Sequence, residues 1–254
     1  VWEMTRMKYV FLSRPRRFGK SLLSSTLHSY FDGSKDLFEG LKIMDLETKW
    51  EQYPVIHLDI STAKGQPTAQ ELQNAILFSM EPMAAKFGRT ETETTPGRLL
   101  MGMIRRAYER TGKQVAVIID EYDAPLLEVL HEETQLPEFR RVMQELYVPL
   151  KASEPMLRFC FITGITKFSQ LSIFSTINNL KNITLLPKYA ALCGITEEEL
   201  TTDMAEDIRQ MAEAQEITPE EMHARLKAQY DGYHFSEDSP EVNNPFSLMN
   251  AFGD

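Results

Sequence analysis

Residues 115–119 read Val-Ala-Val-Ile-Ile, five apolar residues in a row with no polar alternation. A strand of this kind has both faces covered, as in the middle of a parallel sheet. Parallel strands need long crossovers, and these are usually helices. The neighbouring segments fit that demand. Residues 8–13 (Lys-Tyr-Val-Phe-Leu-Ser), 55–60 (Val-Ile-His-Leu-Asp-Ile, set off by Pro54) and 157–163 (Leu-Arg-Phe-Cys-Phe-Ile-Thr) are all strand-like. Between them, apolar residues recur at helical spacing. Leu23, Leu27, Tyr30 and Phe31 predict a helix that stops at Gly33. Leu72, Ile76, Leu77 and Met80 predict one helix over 70–87, and further helices are expected over 98–110, ending near Gly112, and over 136–152. Strands alternating with helices predict an α/β fold, a parallel sheet flanked by helices. The strands at 8–13 and 115–120 are expected side by side, with 55–60 further out.

The chain has 254 residues, 43% of them hydrophobic, enough for one large α/β domain or a core with a smaller unit appended. After about residue 186 the character changes: 197–216 and 219–230 are charged helical stretches, with no further buried strand in view. The expected division is a core over 1–187 and a mainly helical C-terminal subdomain over 188–254. Formal net charge is −10, which argues against broad binding to nucleic acid, since a phosphate backbone needs a positive face. The two cysteines, Cys160 and Cys193, lie in apolar surroundings and are expected as buried thiols. The five histidines have no ligand spacing with each other or with a cysteine, so no structural zinc is expected. No apolar run reaches the length of a membrane span. Glu3, Arg6 and Lys8 do not suit a signal peptide, and a cytoplasmic protein without a membrane partner is the default expectation.

The sharpest chemical signal is a strand, then Arg14-Pro15-Arg16-Arg17-Phe18-Gly19-Lys20-Ser21, then a helix. A full Walker A motif has glycine where Arg14 stands; its second half, Gly-Lys-Ser opening a helix, is intact. Unpaired N–H groups at a helix start, together with the positive end of the helix dipole, make an anion site. Gly19 lets the backbone approach phosphates, Lys20 reaches the β- and γ-phosphates, and the Ser21 hydroxyl joins the coordination of Mg²⁺. Arg14 and Pro15 must alter the start of the loop, because arginine tolerates positive φ poorly and proline donates no N–H. Arg14, Arg16 and Arg17 add charge for a phosphate or a neighbouring acid. The expected nucleotide-contacting set is Arg14, Pro15, Arg16, Arg17, Phe18, Gly19, Lys20, Ser21 and Leu22. Alone, Gly-Lys-Ser is better explained by a solvated basic turn; the flanking strand and helix reverse that judgement.

The apolar run at 115–119 ends in Asp120-Glu121, as a Walker B strand does. The aspartate at the strand end is the expected metal-side acid, with Ser21, and the glutamate the expected general base for the attacking water. An acidic helix cap explains either residue alone, but two such motifs in this order, each at a strand end, are hard to obtain by chance. In α/β sheets ligands bind at the carboxyl ends of strands, which puts the two motifs at one edge. Thr163, at the end of the next strand, is either a γ-phosphate sensor or a threonine entering a turn before Gly164. Expected catalytic residues are therefore Lys20, Glu121 and Thr163.

Residues 11–21, Phe-Leu-Ser-Arg-Pro-Arg-Arg-Phe-Gly-Lys-Ser, resemble the signature of the predicted AAA-ATPase-like P-loop proteins common in Bacteroidetes and other anaerobic bacteria. Four later segments resemble the same family: 119–123 (Ile-Asp-Glu-Tyr-Asp), 163–167 (Thr-Gly-Ile-Thr-Lys), 174–180 (Phe-Ser-Thr-Ile-Asn-Asn-Leu), and 230–235 (Tyr-Asp-Gly-Tyr-His-Phe) with Asn244-Pro245-Phe246. The resemblance spans nearly the whole chain. It implies that Arg14-Pro15 is the family's own form of the loop. It also implies a P-loop nucleotide-binding core followed by a helical or winged-helix-like subdomain. Members often carry a nuclease-like domain of the PD-(D/E)XK type further on. The leading expectation is a Mg²⁺-dependent ATPase that couples nucleotide state to its C-terminal unit, with ATP and Mg²⁺ as ligands and a protein partner or a homo-oligomer as context. A regulatory nucleotide switch with little turnover, or the ATPase module of a DNA-processing protein, are the alternatives. The aromatic segments at 230–235 and 243–246 have no chemistry legible in the sequence and are expected to pack the small unit on the core.

Overall fold

The structure, a computed structural model, describes residues 1–166, 177, 179–230, 232–236 and 239–253. Lys167, most of the 174–180 segment and Asp231, all singled out above, lie outside the described residues. By its contacts the chain forms two compact units. One comprises Val1–Ser13 and Ser21–Asn182, the other Arg14–Lys20 and Ile183–Asp254.

In the first unit the elements run β1 (Tyr9–Ser13), α1 (opening at Lys20 and ending at Asp32), α2 (Ile43–Leu46), β2 (Val55–Asp59), α3 (Ala69–Ser79), α4 (Glu81–Phe87), α5 (Pro96–Thr111), β3 (Val115–Asp120), α6 (Ala124–Glu128), α7 (Gln135–Ala152), β4 (Leu157–Gly164) and β5 (Lys181–Asn182). The five strands form a parallel sheet in the order β2-β3-β4-β1-β5. The expected neighbours β1 and β3 are thus separated by β4, which pairs with both. β4 is eight residues long and buried at every position but Arg158, and it pairs along its length with β1 on one side and β3 on the other. β2 lies at the far edge beyond β3, as expected.

Alternation along β4 shows how the two faces are covered. Cys160 and Ile162 join one cluster with Leu72 and Ile76 of α3, Leu100 and Met103 of α5, and Val142 and Leu146 of α7. Phe159 and Phe161 alternate with them; Phe159 stacks on Phe31 of α1 with ring centroids 4.8 Å apart. Burying one such ring stabilises the fold by roughly 1.5–3 kcal/mol. Local signals set the helix ends. Thr68 and Thr95 accept hydrogen bonds from the backbone N–H of Glu71 and Arg98. Gly112 ends α5 in the left-handed conformation at φ 64°. The single helix expected over 70–87 is two, α3 and α4, because Pro82 has no N–H to continue the hydrogen-bond ladder past Met80.

The second unit contains β6 (Ile195–Thr196), α8 (Glu197–Thr202), α9 (Ala205–Ala214), α10 (Pro219–Tyr230), β7 (Val242–Asn243) and α11 (Pro245–Gly253). Its core joins Ile195, Leu200, Ile208, Met222, Leu226 and Leu248. A capping box opens α8: the Thr196 hydroxyl accepts from the Glu199 amide, and the Glu199 carboxylate accepts from the Thr196 amide. The absence of a further buried strand needs correction. β6 and β7 pair antiparallel and both β7 residues are buried, but two residues are too few to show a period in sequence. The helix expected over 197–216 is likewise divided, between α8 and α9.

Candidate nucleotide site

Two strand exits carry the residues of interest. β1 and β3 run parallel, so Ser13 and Asp120 end their strands at the same edge of the sheet. Beyond Ser13 the chain enters the loop Arg14–Lys20, which makes its contacts within the second unit. Beyond Asp120 it turns within the first.

The loop is shaped by two residues at positive φ, Arg17 at 66° and Gly19 at 82°. Arg14 does not adopt positive φ, in keeping with an altered loop entry, whereas Arg17 does, where an arginine costs of order 1 kcal/mol or more. Gly19 is needed for its backbone alone, since a Cβ there would meet nothing within 4 Å. Lys20 is nearly buried, and its ammonium donates back across the loop to the Pro15 carbonyl at 3.0 Å. The three arginines differ. Arg14 is 1% exposed, and its guanidinium donates to the carbonyls of Thr184 (2.9 Å), Tyr189 (2.8 Å), Leu192 (3.1 Å) and Ala190 (3.4 Å). Burial lowers its pKa to about 10, which leaves it cationic at neutral pH. Arg17 lies over the ring of Phe246 at 4.3 Å, and Arg16 is exposed. Phe18 is wholly buried, edge-on to Tyr233 and Phe235, while Leu22 on α1 is exposed.

On the other exit, Asp120 is 3% exposed. It is hydrogen-bonded by the Ser21 side chain and accepts from the Glu121 amide at 2.9 Å. Burial raises its pKa, and the nearby charges of Asp59 and Glu121 push the same way, while the two hydrogen bonds oppose them. Asp59 is its register partner on β2. A buried carboxylate with a second acid beside it and a hydroxyl on it suits a hard divalent cation. Magnesium takes few protein oxygens and keeps several waters. Ser21 and Asp120 are the residues that would hold it. Among the described residues, no group of three or more His, Cys, Asp or Glu forms a larger metal cluster.

Glu121 stands at φ 49°. Its carboxylate is half-buried and paired with Lys64 at 2.9 Å. The next two residues fix the turn. The Tyr122 amide donates to the Thr163 carbonyl at 3.1 Å, and the Tyr122 hydroxyl to the Thr166 carbonyl at 3.1 Å. Asp123 is fully buried and accepts from the amides of Ile165 (3.1 Å) and Thr166 (2.5 Å). Gly164 is required by this latch, since a Cβ there would lie 2.4 Å from the Asp123 carboxylate. Thr163 is fully buried, and its hydroxyl has no hydrogen-bond partner among the described residues.

A family described as Predicted AAA-ATPase matches residues 1–174, both strand exits included. The chain belongs to the Predicted AAA-ATPase family. As a member it is expected to bind nucleotide through this P-loop-type sheet. The chain is also 34% identical over 247 residues to a protein of Azotobacter chroococcum mcd 1 named "Uncharacterized protein in vnfD 5'region". That match covers 96% of this chain and 45% of the relative, so the chain spans less than half of the relative's length. Among the described residues no helix is long and apolar enough to cross a membrane.

Sequence reasoning missed Lys64, Asp59 and the aromatic partners of the loop. Asp59 was signalled by its place at a strand end. Lys64 and Tyr233, Phe235 and Phe246 had no local signal, since each meets its partner through tertiary contact.

Proposed function

We propose that this member of the Predicted AAA-ATPase family is a Mg²⁺-dependent ATPase module that couples nucleotide state to its C-terminal segment. The observation that carries this reading is the Ser21 side chain on the buried Asp120 carboxylate, with Lys20 directly preceding Ser21 in the chain. Bound Mg²⁺ supplies charge neutralisation at the β- and γ-phosphate oxygens. Lys20 and the amides of the helix start bind and orient the phosphates, and Gly19 keeps the backbone open to them. Glu121 takes a proton from the water that attacks the γ-phosphorus, as the bond from that phosphorus to the β–γ bridging oxygen breaks to give ADP and phosphate. For this the Lys64–Glu121 pair must open. Thr163 is assigned to the γ-phosphate side because its hydroxyl is unsatisfied, although its side chain is closed to solvent. The 183–254 segment, with its helices and its β6–β7 pair, is read as the helical or winged-helix-like subdomain that responds. A cytoplasmic location and a protein partner or homo-oligomer belong to the same reading.

A second reading, a nucleotide switch with little turnover, draws on the same Lys64–Glu121 contact, which holds the expected base on a cation. Glu121→Gln separates the two. The ATPase reading predicts that the variant binds Mg-ATP like wild type but hydrolyses it about 10²–10⁴-fold more slowly. Slow wild-type turnover that the substitution leaves unchanged would favour the switch.

A further inference from the structure

The aromatic residues near the C-terminus have a use in the structure that their sequence did not reveal. Arg14, Phe18 and Arg17, the first, fifth and fourth residues of the loop, each meet one or two of them within the second unit. The Arg14 guanidinium lies 3.9 Å from the centre of the Phe235 ring. Phe18 meets Tyr233 edge-on at 4.8 Å and Phe235 at 5.7 Å. Arg17 lies over Phe246 at 4.3 Å. The same Arg14 fork donates to four carbonyls in the 184–192 stretch. A guanidinium has five N–H donors in a rigid plane, and here its edge is taken by carbonyls and a face by a ring. Arg14 is thus committed to holding the loop and has little left for phosphate. Phe18, buried on both rings, holds the loop's other end next to Gly19.

We propose that Arg14, Phe18, Tyr233, Phe235 and Phe246 form a clamp that positions the phosphate loop. The 183–254 segment is then a structural part of the nucleotide site, and the five are positioning residues rather than nucleotide contacts. This rests on the nucleotide reading above. The physical ground is that a loop holding Arg17 at positive φ and directing several amides toward one anion pays an ordering cost. The clamp meets that cost before nucleotide arrives, and preorganisation of this kind raises affinity without new ligand contacts. It also gives coupling a route: whatever displaces Phe235 frees Arg14 and Phe18 together, and by linkage nucleotide on the loop favours the clamped arrangement.

The test uses the full chain and two readouts, amide hydrogen exchange over residues 16–20 and the dissociation constant for Mg-ATP. Phe235→Ala is expected to speed exchange in the loop while leaving exchange in β3 as in wild type. It should weaken Mg-ATP binding about tenfold, or 1.4 kcal/mol. Phe235→Tyr, which keeps the ring face, should restore both. If Phe235→Ala does not fold, Phe246→Ala serves, since that ring is 42% exposed and touches the loop through Arg17; the same signs with smaller size are expected. Loop exchange unchanged by the substitutions overturns the clamp even where ATP binds. Faster exchange with unchanged ATP affinity overturns its role in positioning. Wild-type protein that binds no ATP overturns the nucleotide reading instead, and is recognised by the fact that it does so with the loop still protected.

Discussion

The two strand exits solve the same problem in opposite ways. After β3 the turn is held from within its own unit: Asp123 accepts the amides of Ile165 and Thr166, and Tyr122 ties to Thr163 and Thr166. After β1 the loop is held by residues 170 or more positions away, through Arg14 and Phe18. The Asp120–Asp123 turn is thus held by its own unit, and the Arg14–Lys20 loop by the 183–254 segment of its own.

Two substitutions on the β3 side sharpen the contrast. The larger effect belongs to Asp123→Ala. It strands the amides of Ile165 and Thr166 and removes hydrogen bonds to a charged acceptor, each worth about 1.5–3 kcal/mol. A stability loss of about 3 kcal/mol is expected in denaturant unfolding, with loop exchange at 16–20 little changed in the folded protein. If the loop loosened as much as the β3 turn, the two exits would not be independently held.

Lys64→Met has the smaller effect. The Lys64–Glu121 pair is partly exposed, and pairs of this kind contribute about 0.2–1 kcal/mol. That is too little to lock the glutamate away and enough to bias it. Turnover is expected to rise by up to about fivefold, with Mg-ATP affinity unchanged. A fall in turnover would mean that Lys64 helps the reaction, for instance by orienting Glu121, and a rise of a hundredfold would mean that the pair is a true off-switch.

Much of the first unit was legible in the sequence, because it rests on local patterns. The unbroken Val115–Ile119 run marked an internal strand, Gly112 marked the end of α5, and the two motifs marked the exits of β1 and β3. Strand order was not legible. A helical crossover permits either neighbour, and β1, β3 and β4 are all buried strands, so burial alone does not rank them. The clamp was not legible for a similar reason. Arg14 looked like a phosphate ligand because it is a basic residue in a phosphate loop, and only tertiary contact shows its charge facing carbonyls and a ring. Asp123, three residues after Asp120, is likewise occupied by backbone amides through tertiary contact.

The central claim is that Gly19-Lys20-Ser21 binds the phosphates of a nucleotide. Titration of wild type and Lys20→Ala with ATP in the presence of magnesium, with circular dichroism to confirm the fold, tests it most directly. The account predicts saturable binding by wild type and loss of at least about tenfold in affinity for the variant, as removal of a charged phosphate contact demands. A natively folded Lys20→Ala protein that binds Mg-ATP as tightly as wild type would contradict it.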